Sequence, residues 1–483
     1  MSLPSAKLVE ETGLSFDDIL IIPKSSEIET RADVDLSVQL GNIRLSLPIV
    51  SAPMDAVTGH RMAQAMAECG GLGIIHRFAS IDEQISEVKK VKRARNVVIL
   101  KPVVANEKHT LHEIKNLEEQ YGIHSFPVVN NEGKLVGLLT RSDYILEENL
   151  TTKVADLMTP ASQVKMLELK SMDSFDINLA RSIIKESKIK ILPIVDSTGA
   201  LLGLVTRRDI IELSNTKATV DAKGRLCVGA AVGIRHDWLE RAGQLADAEV
   251  DAICIDVANG YLKRVAECVR ILKHKYEHLT IIAGNVATQE GVLALLEAGV
   301  DVVKVGIGPG SVCTTRVVTG VGVPQATAIY WSASVKGDKK IIADGGCRTS
   351  GDIAKALALG GDSVMLGSML AGTDESPGDV LVVNNRRVKS FRGMASAFAF
   401  RDKKEKLKDS VEFEPTPEGV SIGFSDYKGS VKEVLVSIEK ALRSAFSYVG
   451  AHNLDEFHKR SQFIKITQSA IKESHPHSVT VIG

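Results

Sequence analysis

This 483-residue chain lacks the features that would mark a membrane protein, a nucleic-acid binder or a disulfide scaffold. No stretch approaches the roughly 20 consecutive apolar residues of a membrane span. Charge of one sign is missing too: 59 basic residues face 60 acidic ones, a net charge of −1. Nothing therefore points to a nucleic-acid or membrane surface, and the Lys/Arg cluster from Lys89 to Arg95 reads as a solvated helix end. The six cysteines, at 69, 227, 254, 268, 313 and 347, have no metal-ligand spacing. In a chain this long they imply reduced thiols, not a disulfide framework. No Gly-x-Gly-x-x-Gly follows a strand, which argues against a dinucleotide site of the Rossmann type. The first residues lack the apolar core of a secretory signal and Val-Ile-Gly at the end is no peroxisomal tripeptide, so a cytoplasmic location is expected.

What is present is a regular alternation of short apolar runs with helical segments. The runs are Leu47–Ser51, Gly73–His76, Val228–Val232, Ala252–Asp256, Ile281–Gly284, Val302–Gly306, Ile341–Asp344 and Ser363–Gly367. Continuous apolar runs suit strands buried on both faces of a parallel sheet. Helical patterns such as Gly291–Glu297 and Gly351–Leu359 lie between them. Eight β/α repeats predict an α/β fold, a TIM (β/α)8 barrel, with its chemistry at the carboxyl ends of the strands. Asp256, Asn285, Cys313, Asp344 and Gly367-Ser368 all fall there.

An internal repeat interrupts the alternation between the second and third runs. Phe126–Tyr144 aligns with Leu192–Ile210 at a constant offset of 66 (192 minus 126). The segment 96–215 is thus expected to be two strand-turn-strand-helix modules inserted into a barrel made of 1–95 and 216–483. The repeat resembles a tandem CBS pair, in which Thr140 and Asp143 match Thr206 and Asp209. That resemblance implies a regulatory purine-nucleotide site, while the plain reading has each Thr and Asp capping the helix that follows.

The densest motif is Gly306-Ile-Gly-Pro-Gly-Ser-Val-Cys-Thr-Thr-Arg316. Three glycines and a proline in five residues allow a tight loop with close backbone approach to a ligand. Cys313 in such a loop, past a strand end and followed by two hydroxyls, is placed as a nucleophile.

With Thr319–Gln325 after it, this motif resembles the catalytic loop of the IMP dehydrogenase/GMP reductase family. The similarity extends from Gly13–Asp18 to Glu473–His477. It implies a purine mononucleotide substrate, GMP or IMP, joined covalently to Cys313. The phosphate would rest on the amides of Gly346 and Gly367 and on Ser368 and Ser311, since the loops after strands seven and eight are this fold's usual phosphate site. Asp344 would hold the ribose hydroxyls and Met54 would stack on the base. Gly393 and Met394 would contact the purine and Glu418 would read it. The resemblance gives Thr315, Arg77 and Asp256 catalytic roles, with Asp256 as partner of Arg77. Asp256, Asn259 and Gly260 would meet the dinucleotide. A potassium ion would sit on carbonyls of Gly308, Gly310 and Cys313, joined by Glu473, Ser474 and His475 of a neighbouring subunit. A homotetramer, pairing into octamers through the CBS modules, is implied as well.

Two activities share the covalent intermediate, and the sequence leans toward one. Dehydrogenases of the family activate water with an Arg-Tyr pair on a flap. The matching stretch, Phe398–Pro415, has Arg401 but no tyrosine before Tyr427. Ile253–Tyr261 and Arg443–Ala451 are also similar to reductase segments, and Phe391 stands where dehydrogenases commonly use a tyrosine to touch the phosphate. Against this, the CBS insertion, Val318–Gln325, Gly367–Gly378 and the ending Glu473–His477 are similar to dehydrogenases. The glutamate that reductases carry after Gly-Met-Ser-Ser is here Ala397. The resulting expectation is an NADPH-dependent GMP reductase. An NAD-dependent IMP dehydrogenase is the alternative, and a non-catalytic purine-nucleotide sensor is the alternative of another class.

Overall fold

The computed structural model describes residues 9–94, 98–214, 217–396 and 416–475. Its contacts divide the chain into two units, one of Met1–Ala94, Lys217–Thr219 and Leu226–Gly483, the other of Arg95–Thr216 and Val220–Arg225.

The first unit is built on eight parallel strands, each a continuous apolar run. They are β1 (Ile49–Ser51), β2 (Leu72–Ile75), β3 (Gly229–Val232), β4 (Ala252–Asp256), β5 (Thr280–Val286), β6 (Val302–Val305), β7 (Lys340–Asp344) and β8 (Ser363–Leu366). Neighbours pair in sequence order and β8 closes onto β1, giving a closed barrel. The expected runs all become barrel strands, with ends moved by a residue or two. Helices such as Gln289–Glu297 and Ser350–Ala358 return the chain between strands. Thr349 caps the second of these with Asp352 in a reciprocal box.

Strand residues are buried apart from Asn285 and the terminal positions Asp256, Lys340 and Asp344. The pairing of β5 with β6 shifts register between Gly284 and Val286. Such a bulge re-aims the extra residue. Here that residue is Asn285, whose amide reaches the Gly306 carbonyl and the Asp344 carboxylate.

The basic cluster near residue 90 departs from expectation. It does end a helix, Ile81–Ala94, but Lys92 is only 5% exposed and pairs with Asp251 at 2.7 Å. A buried ammonium of this kind persists because it is paired.

The second unit repeats one motif. Ser125–Val129 pairs with Leu135–Thr140, and Ile191–Val195 with Leu201–Thr206. Each hairpin carries a register shift at the matching place, Val128/Val129 and Ile194/Val195, again 66 apart (194 minus 128). Each half has its own apolar core, around Phe126, Leu139 and Tyr144 in one and Leu192, Ile194 and Ile210 in the other. Thr140 and Asp143 form a capping box at the helix Arg141–Tyr144. Thr206 donates to Asp209 at 2.6 Å in the same arrangement. The helix-capping reading of these four residues therefore holds.

Candidate active site

The glycine-rich loop leaves β6 through backbone that only glycine tolerates. Gly306 has φ +146°, and a Cβ there would stand 2.2 Å from the Asp344 carbonyl. Arg316 then pins the loop from within, donating to the carbonyls of Ile307 (3.2 Å) and Val323 (2.5 Å).

Three chain segments converge on Cys313. The Thr314 amide donates to the Glu418 carbonyl (2.8 Å), that of Val420 to Val312 (3.0 Å), and that of Gly393 to Val420 (2.9 Å). Gly393 and Gly419 are in backbone contact, leaving no room for a side chain on Gly393. This seam carries side-chain chemistry. The Cys313 thiol donates to the Thr315 hydroxyl at 3.2 Å, which donates to the Glu418 carboxylate at 2.7 Å. Thiol, hydroxyl and carboxylate thus form a chain able to move a proton away from sulfur and back.

A cavity of about 290 Å³ opens beside the loop, close to the lower end of ligand-pocket sizes, about 300 Å³. Its wall includes Met54, Ser311, Asp344, Gly346, Gly367 and Ser368, six of the residues assigned to the nucleotide. Gly345 and Gly346 take φ +89° and +87° in succession, a backbone form that can present amides to an anion. A Cβ on Gly367 would meet the Met54 sulfur at 3.2 Å. Met394 reaches the same corner, its sulfur accepting the Asp55 amide at 3.4 Å. Phe391 lines the cavity as well. Cys313 is not in the wall; it follows the Ser311–Val312 edge, with its thiol turned to Thr315.

At the barrel centre Arg77 and Asp256 act on each other through their charges, and Lys304 joins them. Asp256 has no hydrogen bond to Arg77; its carboxylate accepts from Lys304 at 2.7 Å. Arg77 acts on Asp256 only through space, and its Nε is buried without a partner. Lys304 also donates to Asn285 and, at 2.8 Å, to Asp344. Burial alone would push the Asp256 pKa up, but the Lys304 and Arg77 charges outweigh it and hold the group below the ordinary carboxylate range. Burial likewise depresses the Arg77 pKa, against the pull of Asp256. Asp344 ends β7 bound to Lys304 and Asn285 and caps no helix.

The remaining candidates are scattered. Asn259 is exposed and accepts the Tyr261 amide at 3.0 Å, while Gly260 packs directly on the Gly284–Asn285 backbone. The Gly310 carbonyl accepts the Cys313 amide. Glu473, Ser474 and His475 lie at the end of the short helix Gln468–Glu473. Arg401 and Ala397, with the whole flap stretch Phe398–Pro415, lie outside the described residues, as do Pro476 and His477. Among the described residues no cluster of His, Cys, Asp and Glu could hold a metal ion, and no helix is long and apolar enough to cross a membrane.

A (β/α)8 barrel carrying a cysteine on a glycine loop after strand six and a glycine-lined cavity at strands seven and eight is the framework of an enzyme that binds a phosphorylated ligand beside a nucleophile. The chain belongs to the IMP dehydrogenase/GMP reductase family, whose domain model matches residues 13–477. Among curated relatives, the inosine-5'-monophosphate dehydrogenase of Bacillus subtilis is 46% identical over 478 residues, spanning 97% of this chain and 96% of its own. That of Methanocaldococcus jannaschii is 44% identical over 491 residues, 98% and 97% of the two chains. Similar solved structures bear the other activity. A cysteine-to-alanine variant of GMP reductase from Trypanosoma brucei, in complex with guanosine 5'-monophosphate, superposes with a TM-score of 0.77 at 40% identity, covering 97% of this chain and 98% of that one. GMP reductase from the same organism in complex with guanosine 5'-triphosphate gives 0.66 at 36%, covering 95% and 98%. The family acts on purine mononucleotides with a nicotinamide cofactor.

Proposed function

We propose that this protein is a GMP reductase, converting GMP to IMP and ammonia with NADPH. The observation that carries the reading is the Cys313–Thr315–Glu418 chain. The sequence lacks the reductase glutamate at position 397, yet a carboxylate from another segment stands on the threonine that needs it. The missing Arg-Tyr pair removes the water-activating group of a dehydrogenase. The similarity to trypanosomal GMP reductase over 97% of the chain adds support.

In this scheme the Cys313 sulfur adds to carbon 2 of GMP as its proton passes through Thr315 to Glu418. Glu418 returns that proton to the amine, the carbon–nitrogen bond breaks, and ammonia leaves a thioimidate on Cys313. NADPH, when bound, would supply the hydride that carbon 2 accepts, and Cys313 would then depart as thiolate to free IMP. Gly346, Gly367, Ser368 and Ser311 bind the phosphate, Asp344 the ribose, and Met54, Gly393 and Met394 the base. Asp256, whose side chain is 27% exposed, would hold the dinucleotide, with Asn259 and Gly260 on the same loop. A potassium ion would take carbonyl oxygens of Gly308, Gly310 and Cys313, a donor set suited to replacing its hydration shell, with Glu473, Ser474 and His475 of another subunit. A cytoplasmic homotetramer or octamer, with purine nucleotides regulating through Thr140, Asp143, Thr206 and Asp209, belongs to the same reading. The trypanosomal complex with guanosine triphosphate favours a regulatory nucleotide.

The second reading, IMP dehydrogenase with NAD, is favoured by the names of relatives 43–46% identical. One assay separates them. Loss of NADPH absorbance with GMP and release of ammonia is expected, whereas NADH formed from IMP and NAD without GMP turnover would reverse the assignment. Cys313→Ala should abolish either activity and the covalent adduct. A protein that binds purine nucleotides but turns over neither pair is a sensor.

A further inference from the structure

One buried charge at the barrel mouth plays no part in the scheme above. Lys304 sits among three valines in β6 and is 1% exposed. An ammonium has three N–H donors and no acceptor, and three neighbours use them. They are Asp256 on β4 at 2.7 Å, Asp344 on β7 at 2.8 Å, and Asn285 on β5. The oxygens of the two carboxylates therefore lie within 5.5 Å of each other (2.7 plus 2.8). The other ionisable groups that interact with this cluster are Cys254 of β4, Arg77 after β2 and Cys347 after β7.

We propose that Lys304 is the positioning residue of the reaction, one ammonium that anchors Asp344 and Asp256 to a single point. The inference rests on the proposed function, which puts Asp344 on the nucleotide and Asp256 on the dinucleotide. Two carboxylates this close, with side chains only 27% and 21% exposed, repel each other without a cation between them, which favours uptake of one proton by the pair. An unanchored Asp344 would no longer present its acceptor oxygens to the ribose hydroxyls. An unanchored Asp256 would no longer hold the dinucleotide in register with carbon 2. The Lys304 position in β6, between the strands that bear its partners, is what lets one side chain serve both substrates.

The full-length protein with Lys304→Met, Lys304→Arg, Asp344→Asn and the Lys304→Met/Asp344→Asn pair provides the test. Thermal melting against pH reads the carboxylates without any turnover. A carboxyl whose folded pKa is raised stabilises at low pH and loses that contribution as pH rises. Lys304→Met should therefore lose melting temperature relative to wild type between about pH 5 and pH 8. Lys304→Arg and the double variant should not. In kinetics, Lys304→Met should raise KM for both the nucleotide and the dinucleotide about tenfold or more, roughly one charge-assisted hydrogen bond each. The double variant should restore the melting profile but leave both KM values raised, because Asp256 still lacks its anchor. Parallel melting curves for Lys304→Met and wild type, or a KM change confined to one substrate, overturn the proposal. Wild-type protein inactive with both GMP/NADPH and IMP/NAD would sink the proposed function instead, and the melting comparison would still decide whether Lys304 holds the two carboxylates.

Discussion

Thr315 donates its hydroxyl proton to Glu418, 103 residues further along the chain, at 2.7 Å. Because the Cys313 thiol donates to the same hydroxyl, the threonine is a relay and not an endpoint. Glu418→Gln keeps the shape and the hydrogen bond but cannot accept the proton. Such a loss of acid–base function costs about 100-fold or more in kcat, and KM for the nucleotide should stay within about threefold. Thr315→Val should match it, and the double variant should be little worse than either single one, since residues acting as a unit are not additive. Steady-state kinetics on the three variants decide it; additive losses would mean that the two act separately.

Gly306 offers a test of the loop that needs no catalytic group. Its φ of +146° is a region other residues avoid, and a Cβ would press on the Asp344 carbonyl at 2.2 Å. Gly306→Ala must move β6 away from β7 or bend the loop that carries Cys313. A strained site of this kind costs about 1–3 kcal/mol. The variant should melt at least about 2 °C below wild type and lose most of its turnover. Unchanged melting and activity would show that the loop relaxes freely.

Much of this architecture could be read from the sequence, for a physical reason. Parallel strands buried on both faces must be apolar along their length, so Ile281–Gly284 and Ile341–Asp344 announce themselves, and the glycine loop around Cys313 is dense enough to identify. Lys304 was invisible by the same logic. It lies inside Val-Val-Lys-Val as a single polar residue, and only closure of the barrel brings it to Asp256 and Asp344. Asn285 could be placed at a strand end, but its aim at Asp344 depends on a register shift that no composition encodes. The resemblance pairs Arg77 with Asp256, whose charges do act on each other, but the hydrogen bond that Asp256 accepts from Lys304 of β6 left no signal in the sequence. The Thr315–Glu418 contact is equally a product of tertiary pairing, made by the seam that joins residues 312–314 to 418–420.

Burial of His458 makes stability depend on pH. Its ring contacts the Gly361 carbonyl at 3.0 Å, between Lys336, Asp362 and Asp455. Desolvation first, then repulsion from Lys336, lowers its pKa below the ordinary 6.5, with Asp362 opposing. The sign follows from proton counting: below about pH 6.5 the unfolded chain takes up a proton that the folded one declines. Stability is therefore undiminished above that pH and falls as pH drops toward the folded pKa, by at most about 1.4 kcal/mol per unit. His458→Gln should flatten this part of a melting-temperature profile between about pH 5 and 7. A profile identical to wild type would assign the acid loss to other groups.

Arg316 gives the sharpest separation of loop order from chemistry. Its guanidinium binds two carbonyls that flank the catalytic loop, Ile307 and Val323, and lies against Gly308 and Gly322. Side chains at either glycine would come within 2.5–2.7 Å of it. Two divergent acceptors suit a planar fork and not a point charge, so Lys cannot replace Arg there. Arg316→Lys and Arg316→Met should both lower kcat about tenfold or more, each by losing a charge-assisted hydrogen bond worth about 1.5–3 kcal/mol. They should also speed alkylation of Cys313 by iodoacetamide, because a loosened loop exposes the half-buried thiol. The other five cysteines, including four buried ones, make a sound internal reference. Slower alkylation, or wild-type turnover in Arg316→Lys, would mean that the loop is held by its glycine backbone and not by this side chain.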